Sequence, residues 1–201
     1  MLIVKSKYRI AKRLGAAVFE QTQTQKFALR EANSTKRRPS RGGSDYGRQL
    51  LEKQRVRFTY GLSEGQLSKY AKAAYVTEEP SKSLHLALEM RADNAAYRAG
   101  LASTRRAARQ AVSHGHFTIN GKRITTPSYR VQKGDVIAVR DGARKSPLYA
   151  GLAEKNQEGS RAIPSWISTD MTLLKSEIAG EPQYSSDGGL DYPTVFEFYS
   201  R

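Results

Sequence analysis

The stretch LASTRRAARQAVSHGHFTINGKRIT, residues 101–125, decides the fold of this sequence. Ser103 is a predicted helix N-cap and Gly115 a predicted stop, which together give a helix of about three turns. Its apolar residues are three alanines and one valine, so the helix can lie close against a neighbour. Arg105 and Arg109 are four residues apart and share one side of this helix. The remaining surface is crowded with guanidinium and amide groups and suits phosphates.

A tight hairpin follows the helix directly. Residues 117–119 alternate between apolar and polar, Asn120-Gly121 is the strongest two-residue hairpin signal, and residues 122–124 return as a second strand. Residues 129–131 are predicted to be extended, and residues 136–139 form a short apolar strand after a Gly-Asp turn. The sequence therefore predicts a small unit of helix, helix and hairpin with a small antiparallel sheet and two cations at the hairpin tip.

Helical signals dominate the sequence before residue 100. Ser44 is a predicted N-cap for a helix over residues 46–60. Ser63 and the glutamine three residues later have the spacing of a capping box, which starts a second helix. Residues 77–83, with a proline inside, form a plausible linker, and residues 83–99 read as one further helix that ends at a glycine. The fold class is thus α+β, with a mainly helical N-terminal domain.

The two ends of the chain are predicted to be extended. The first 43 residues mix cations with small polar residues and favour a basic extended arm that a partner orders; a floppy basic terminus is the alternative. Its cluster of cations after residue 35 has phosphate-binding character. At the other end, residues 195–199 alternate like a strand, which could be an element packed on the core.

The charge of the chain narrows the class of partner. The 201 residues carry a net charge of +15 and the pI is about 10.1. Residues 1–60 hold 15 basic and 4 acidic groups (+11) and residues 91–150 hold 12 and 3 (+9), whereas residues 61–90 and 151–201 carry −1 and −4. Two separate basic regions of this size predict a polyanion as the partner.

Other classes of protein are disfavoured by what the sequence lacks. No apolar run approaches the roughly 18 residues that a membrane-spanning helix needs, and the start is too short in apolar residues for a signal peptide. The chain has no cysteine, which excludes disulfides, thiolate zinc sites and a cysteine nucleophile. We therefore expect no metal and no cofactor.

Several motifs resemble one known family. Leu101-Ala-Ser-Thr-Arg, Val112-Ser-His-Gly-His, Asn120-Gly-Lys and Pro127-Ser-Tyr-Arg-Val resemble the RNA-binding module of small-subunit ribosomal protein number four, a module that also occurs in other RNA-binding proteins. Two further stretches are similar to the rest of that family in its bacterial and organellar form. They are Ser44-Asp-Tyr-Gly, which resembles its first helical domain, and Glu197-Phe-Tyr-Ser-Arg201, which resembles its terminus.

The resemblance implies a domain plan and a biological role. The plan is a basic arm over residues 1–43, a helical rRNA-binding domain over 44–90 completed by the tail 185–201, an RNA-binding domain over 91–155 and a variable extension over 156–184. Members bind the 5′ domain of small-subunit rRNA early in assembly, lie beside small-subunit protein five where mRNA enters, and contribute to translational accuracy. The expected location is the small ribosomal subunit of the bacterial cytoplasm, or of an organelle. Many members have zinc-binding cysteines near the N-terminus, which this chain lacks, and we do not expect a homo-oligomer.

The candidate rRNA-binding residues are polar, cationic or aromatic side chains from the arm and from the two predicted RNA-binding domains. They are Arg37, Arg38 and Arg41 in the arm; Ser44, Tyr46, Arg48, Lys53, Gln54, Arg55 and Arg57 in the first helical domain; and Arg105, Arg106, Arg109, Ser113, His114, His116, Asn120, Lys122, Arg123 and Tyr129 in the second. Tyr46 could stack on a base or pack in the interior. The resemblance places the tail residues Phe198, Tyr199 and Arg201 at the interface with protein five.

Two rival functions remain at this point. Pseudouridine synthases and some aminoacyl-tRNA synthetases carry the same module, but they add a catalytic domain for which this chain has too few residues. No phosphate-binding glycine loop is present, and His114 and His116 lack partners for a catalytic triad or a metal site. The sequence therefore predicts a protein that is not an enzyme. A free-standing RNA-binding or chaperone protein with the same module is the second alternative.

Overall fold

The computed structural model describes residues 4, 6–33, 44–149, 152, 162–185 and 189–200. The fold is α+β, as predicted from the sequence. The chain divides into two compact units, the first made of residues 1–84 and 184–201 and the second of residues 85–183. The sequence placed its limits at 43, 90, 155 and 184 instead, and those limits remain a prediction.

The first unit begins with a folded N-terminal segment, so the prediction of an extended arm is wrong for this part of the chain. Helix α1 (Lys7–Leu14) and helix α2 (Gln25–Ala32) are joined by two short 3-10 turns. Five apolar residues between and within these elements form a small buried cluster, and side chains of the next helix pack against it. The five are Ala11, Leu14, Val18, Phe19 and Phe27. Sequence periodicity did not detect this core because its members are spread over two helices and the turns between them.

Helices α3 (Asp45–Thr59) and α4 (Glu64–Tyr75) are confirmed where the sequence predicted them. The Ser44 hydroxyl accepts a hydrogen bond from the Gly47 N–H at 3.2 Å and caps α3. Ser63 forms the predicted capping box with the glutamine three residues later, through both the side-chain and the backbone bond. These caps satisfy N–H groups that a helix start leaves without partners.

The C-terminal tail is a helix, and the prediction of a strand is wrong. Helix α9 (Tyr192–Tyr199) starts at Asp191, whose carboxylate accepts hydrogen bonds from the N–H and the hydroxyl of Thr194. The helix packs against α3 and α4, and the hydroxyls of Tyr60 and Tyr192 lie 3.3 Å apart in the interior. The strand prediction rested on the alternation of apolar and polar residues. The aspartate cap and the proline in the first turn instead favour the start of a helix.

The predicted single helix over residues 83–99 is two helices, and part of the predicted linker is helical. Helix α5 (Pro80–Glu89) begins at the proline, and helix α6 (Ala92–Arg98) follows a break. At the break, the Val131 N–H donates to the Met90 carbonyl at 2.9 Å and the Ala92 N–H donates to the Tyr129 carbonyl at 2.8 Å. The backbone leaves the helical path there because it pairs with this extended segment.

Helix α7 (Arg105–Ser113) is the predicted basic helix of the second unit. Its N-cap is Thr104 rather than the predicted Ser103, and the Thr104 hydroxyl accepts from the Ala107 N–H at 3.1 Å. The helix stops before Gly115, whose φ of +70° is the left-handed conformation that glycine favours. Ala108, Ala111 and Val112 of α7 are buried, and the helix packs against α6.

A five-stranded antiparallel sheet completes the second unit. Its strands are β1 (Phe117–Ile119), β2 (Lys122–Arg123), β3 (Val136–Val139), β4 (Ile167–Asp170) and β5 (Lys175–Ile178), in the order β2-β1-β3-β5-β4. The predicted hairpin is present, with φ of +50° at Asn120 and +77° at Gly121. No structure was predicted for the region of β4 and β5. These two strands pair with each other, and β5 extends the sheet by pairing with β3. A short helix, α8 (Asp141–Arg144), follows β3.

The described part of the chain contains no helix long and apolar enough to cross a membrane. The same residues contain no group of three or more histidine, aspartate or glutamate side chains that could hold a metal ion.

Candidate nucleic-acid interface

The exposed side of α7 carries polar and cationic groups at helical spacing. Arg106, Gln110 and Ser113 are all exposed, while the opposite side of the helix is buried. The first turn of α7 contains two arginines and no acidic residue, although the positive end of a helix dipole disfavours cations there. A bound anion removes this conflict, because both the helix end and the arginines attract it. This side of α7 is therefore suited to phosphate.

The β1–β2 hairpin brings a second cation to the end of α7. Arg123 Nη2 donates to the His114 carbonyl at 3.3 Å, and the guanidinium of Arg123 lies over Gly115. A Cβ at Gly115 would overlap this guanidinium, so a glycine is needed both for the backbone turn and for the position of the arginine. Ser113, His114 and Arg123 are all exposed and lie in one continuous region. We call the exposed residues Arg106, Gln110, Ser113, His114 and Arg123, together with the exposed hairpin cation Lys122 next to Arg123 in β2, the α7–hairpin face.

The side chain of Asn120 is used within the hairpin. Its amide nitrogen donates to Asp135 Oδ1 at 2.8 Å, and its oxygen accepts from the Val136 N–H at 2.9 Å. These bonds fix the hairpin tip against the turn before β3. Contact of Asn120 with rRNA remains a prediction, as does that of Tyr129, which is 44% exposed.

Arg105 and Arg109, in contrast, are directed to partners within the second unit. Arg105 Nε donates to Asn94 Oδ1 at 2.9 Å, and Arg109 Nη1 lies 3.8 Å from Asp93 Oδ2. The Arg109 side chain is only 14% exposed. The two arginines predicted as a phosphate-binding pair are thus bound to buried polar groups, and their role toward rRNA stays a prediction.

His116 differs from its neighbour His114 in its surroundings. Burial, together with the positive charge of His114 and Arg140, lowers the pKa of His116 below its ordinary value. The His116 Nδ1 lies 3.2 Å from the hydroxyl of Tyr149, and burial raises the pKa of that hydroxyl to about 12. His116 is therefore mainly neutral at neutral pH and would contact RNA through a hydrogen bond rather than through charge.

Arg140 is a residue that the sequence analysis missed. Its side chain is exposed. Its backbone N–H donates to the His116 carbonyl at 2.8 Å, which places Arg140 beside the α7–hairpin face. The only available signal was its position directly after the last residue of β3. Its position became informative only in the folded sheet, where the end of β3 lies next to the start of β1.

In the first unit, several predicted residues are engaged around one carboxylate. Lys53 Nζ donates to Glu64 Oε1 at 2.9 Å and lies 4.2 Å from the centre of the Phe198 ring. Arg57 Nη1 donates to the same carboxylate at 3.3 Å, and the Tyr199 hydroxyl donates to it at 2.9 Å. These contacts connect α3, α4 and α9. Lys53 is 6% exposed and lies in the interior of the unit.

Other predicted residues of α3 are divided between surface and interior. Arg55 Nε donates to the Leu14 carbonyl at 2.9 Å and its guanidinium pairs with Glu52, so this arginine holds α1 to α3. Ser44, Tyr46 and Arg48 are exposed. Tyr46 also contacts Phe198, with 5.8 Å between the ring centres, and Gln54 has a buried side-chain oxygen without a hydrogen-bond partner among the described residues. Four predicted residues, Arg37, Arg38, Arg41 and Arg201, lie outside the described residues.

The Glu64 cluster makes the stability of the first unit depend on pH. Burial alone would raise the pKa of the Glu64 carboxyl, but hydrogen bonds from Lys53 and Tyr199 and the charge of Lys53 outweigh it and lower that pKa below its ordinary value. A carboxyl with a lowered folded-state pKa stabilises the fold above its unfolded pKa and loses this contribution as the pH falls through the folded pKa. We expect Glu64→Gln to reduce the fall in melting temperature between a pH of about 6 and about 3.

The matched control for this prediction is Glu79→Gln. Glu79 also pairs with a lysine, at 2.7 Å, but its side chain is 68% exposed, so its loss should leave the acid dependence of melting almost unchanged. Melting curves recorded by circular dichroism across the pH series provide the measurement. Identical acid profiles for wild type and Glu64→Gln would refute the prediction.

The fold and the α7–hairpin face together define an RNA-binding protein of the α+β class. The comparisons with known proteins agree and are more specific. Residues 90–137 match the S4 domain family, and residues 4–90 match the Ribosomal protein S4/S9 N-terminal domain family. The chain is 37% identical over 198 residues to the small ribosomal subunit protein uS4 of Roseiflexus castenholzii, with 96% of each chain covered.

Two further relatives have the same name. The chain is 37% identical to the small ribosomal subunit protein uS4 of Akkermansia muciniphila, again over 96% of each chain, and 43% identical to that of Corynebacterium urealyticum over 79% of each chain. This chain belongs to the family of small ribosomal subunit protein uS4.

Proposed function

We propose that this protein is a structural, non-enzymatic component of the small ribosomal subunit that binds rRNA and nucleates assembly of the 5′ rRNA domain. The observation that carries the proposal is the α7–hairpin face, where cations from a helix and a hairpin share one exposed region of the second unit. The family membership supports the same role. The protein is an RNA-binding scaffold and performs no reaction.

The mechanism follows from the shape of folded RNA. The deep major groove of an RNA helix is closed to side chains, so proteins bind structured RNA through phosphates, 2′-hydroxyls and overall shape. Arg106, Lys122 and Arg123 supply charge for phosphates, while Gln110 and Ser113 supply hydrogen bonds for hydroxyls. The Arg123 side chain of the hairpin lies over Gly115 at the end of α7, so the helix and the hairpin offer these groups to one RNA surface.

The finer roles that the family resemblance implies are part of this proposal. They are binding beside small-subunit protein five, proximity to the path of mRNA and a contribution to translational accuracy. Phe198 and Tyr199 are half-buried against α3 and α4, so they would shape the surface that α9 offers to a neighbour. In this arrangement each subunit contains one copy of the chain, and no homo-oligomer forms.

A footprint on small-subunit rRNA tests the proposal. The purified full-length protein is added to a transcript of the 5′ domain, and hydroxyl-radical cleavage of the RNA backbone is compared with and without protein. We expect protection at a junction of several helices, with binding that weakens as salt increases, because phosphate contacts release counterions. Sucrose-gradient fractionation of the cells then shows whether the protein stays on small subunits in high salt.

The alternative of a free-standing RNA-binding or chaperone protein predicts a different result. Such a protein would leave the small subunit at modest salt and protect many RNAs to a similar extent. Scattered protection without a preferred junction, or release of the protein before other small-subunit proteins, would refute the assembly role.

A further inference from the structure

A basic groove lies between α1 and α2 in the first unit, in the region that the sequence predicted to be extended. Its volume is about 490 Å³, within the range of about 300–1,000 Å³ that small-ligand sites occupy. The residues that line it are Tyr8, Arg9, Lys12, Thr24, Lys26, Phe27 and Arg30. Four of these seven are cations and none is acidic, which indicates an anionic ligand.

Helical spacing places these cations along the two walls of the groove. Arg9 and Lys12 are three residues apart on α1, and Lys26 and Arg30 are four residues apart on α2. All four side chains are exposed. The other sides of the two helices are held by the small apolar cluster, so the walls have fixed positions. Such an arrangement matches a chain of phosphates better than a single small anion.

Tyr8 supplies an aromatic surface inside this charged groove. Its side chain is 57% exposed and lines the groove, so the ring is accessible to a ligand. The ring packs against the buried Phe27, with 6.0 Å between the ring centres, and this contact holds it in place. A fixed, half-exposed ring beside cations is the combination that binds unpaired bases, since every base can stack on an aromatic face.

We infer that this α1–α2 groove binds an unpaired nucleotide of rRNA, whose base stacks on Tyr8 while the four cations hold the adjoining phosphates. The inference rests on the proposed function and adds a second RNA site to it, separate in sequence from the α7–hairpin face. An acidic protein segment is the less fitting ligand, because the interiors of protein interfaces are depleted in lysine and this groove contains two.

The test compares three tyrosine variants of the full-length protein on the 5′-domain transcript. Tyr8→Leu removes the ring, and we expect the dissociation constant to rise about 5- to 150-fold, the range that corresponds to the loss of one base stack. Tyr8→Phe keeps the ring and should bind within about twofold of wild type. Tyr75→Leu is the matched control, because Tyr75 is 61% exposed in the same unit but does not line the groove.

The salt dependence separates stacking from charge. Tyr8→Leu removes no charge, so its plot of log affinity against log salt should keep the wild-type slope. Lys12→Gln with Arg30→Gln should reduce that slope by up to about 1.4, at about 0.7 per phosphate contact for single strands. If wild type binds the transcript while Tyr8→Leu binds as tightly as Tyr75→Leu, the groove inference is overturned and the proposed function stands. If wild type does not bind, both are overturned.

Ultraviolet crosslinking on the wild-type complex removes the dependence on variant folding. We expect a covalent adduct between the peptide that contains Tyr8 and one unpaired nucleotide, identified by mass spectrometry. Adducts on peptides of α7 without any on residues 6–33 would overturn the inference. If an acidic protein segment occupied the groove, adducts would likewise form only on α7 peptides. The rRNA affinity would then be unchanged in Tyr8→Leu and in Lys12→Gln with Arg30→Gln.

Discussion

Asp93→Asn is expected to lower the free energy of unfolding of the second unit by about 3–5 kcal/mol, the usual cost of leaving a buried charge without its partner. Asp93 accepts two hydrogen bonds from the guanidinium of Arg91, at 3.0 and 2.7 Å. The two side chains are 6% and 2% exposed. Arg109 lies 3.8 Å from the same carboxylate.

The size of this effect comes from desolvation. An isosteric amide keeps the shape of Asp93 but carries no charge, and water cannot reach Arg91 to replace it. The backbone next to Arg91 also pairs with residues 129–131, so a shift of this side chain would disturb the break between α5 and α6. The loss should spread to α7, which carries the α7–hairpin face.

Hydrogen exchange of the amides in α7 and β1 measures the free energy of unfolding of the second unit and so tests this prediction. A single unfolding transition is not assumed for a chain of two units. Asp141→Asn is the control, since Asp141 also pairs with an arginine, at 3.3 Å, but is 93% exposed, and should change stability by less than about 0.5 kcal/mol. Equal losses in the two variants would contradict the prediction. Arg91→Met with Asp93→Leu should recover part of the loss, because it removes both charges of the Arg91–Asp93 pair, although Arg109 then loses its contact with Asp93.

Replacing Arg106, Lys122 and Arg123 together with glutamine is expected to weaken binding to the 5′-domain transcript about 1,000-fold. Each cation that meets a phosphate contributes roughly 1.5 kcal/mol at the lower end for a charged hydrogen bond, and three such losses give this factor. All three side chains are exposed and none belongs to the buried network of Asp93. The slope of log affinity against log salt should fall by up to about 2.7 on the B-DNA scale.

A triple variant with the same loss of charge is the control for this experiment. Lys69, Lys72 and Lys82 are exposed on α4 and α5, outside the predicted face, and their replacement with glutamine removes an equal net charge. It should reduce the affinity far less, through the long-range field alone. Equal weakening by the two triple variants would mean that net charge, and not the α7–hairpin face, determines binding.

Local sequence signals predicted the elements whose ends are chemically marked. The caps at Ser44 and Ser63 start α3 and α4 as expected, and Asn120-Gly121 makes the hairpin turn. These predictions succeed because a cap or a turn depends on a few neighbouring residues. The helical stripe of α7 was also visible, since its apolar residues repeat at the helical period.

The elements that were predicted wrongly depend instead on residues outside their own segment. The helices of the N-terminal segment, the helical tail and the break between α5 and α6 depend on partners far away in sequence. The tail is buried through contacts of Tyr192 and Phe196 within the first unit, and the break exists because residues 129–131 pair with it. Apart from the aspartate cap and the proline at the start of α9, no local pattern carries that information.

The candidate site divides in the same way. The sequence by itself determined the class of partner, through two basic regions, and the presence of a basic helix followed by a cationic hairpin. Only the tertiary structure decided which cations are available. It turned Lys53 toward Glu64 and Arg109 toward the buried Asp93, left Arg106 and Arg123 exposed, added Arg140 and formed the groove at Tyr8. The physical reason is that a cation has the same charge wherever it stands in the sequence, whereas folding alone decides whether a carboxylate inside the protein or a phosphate outside it is within reach.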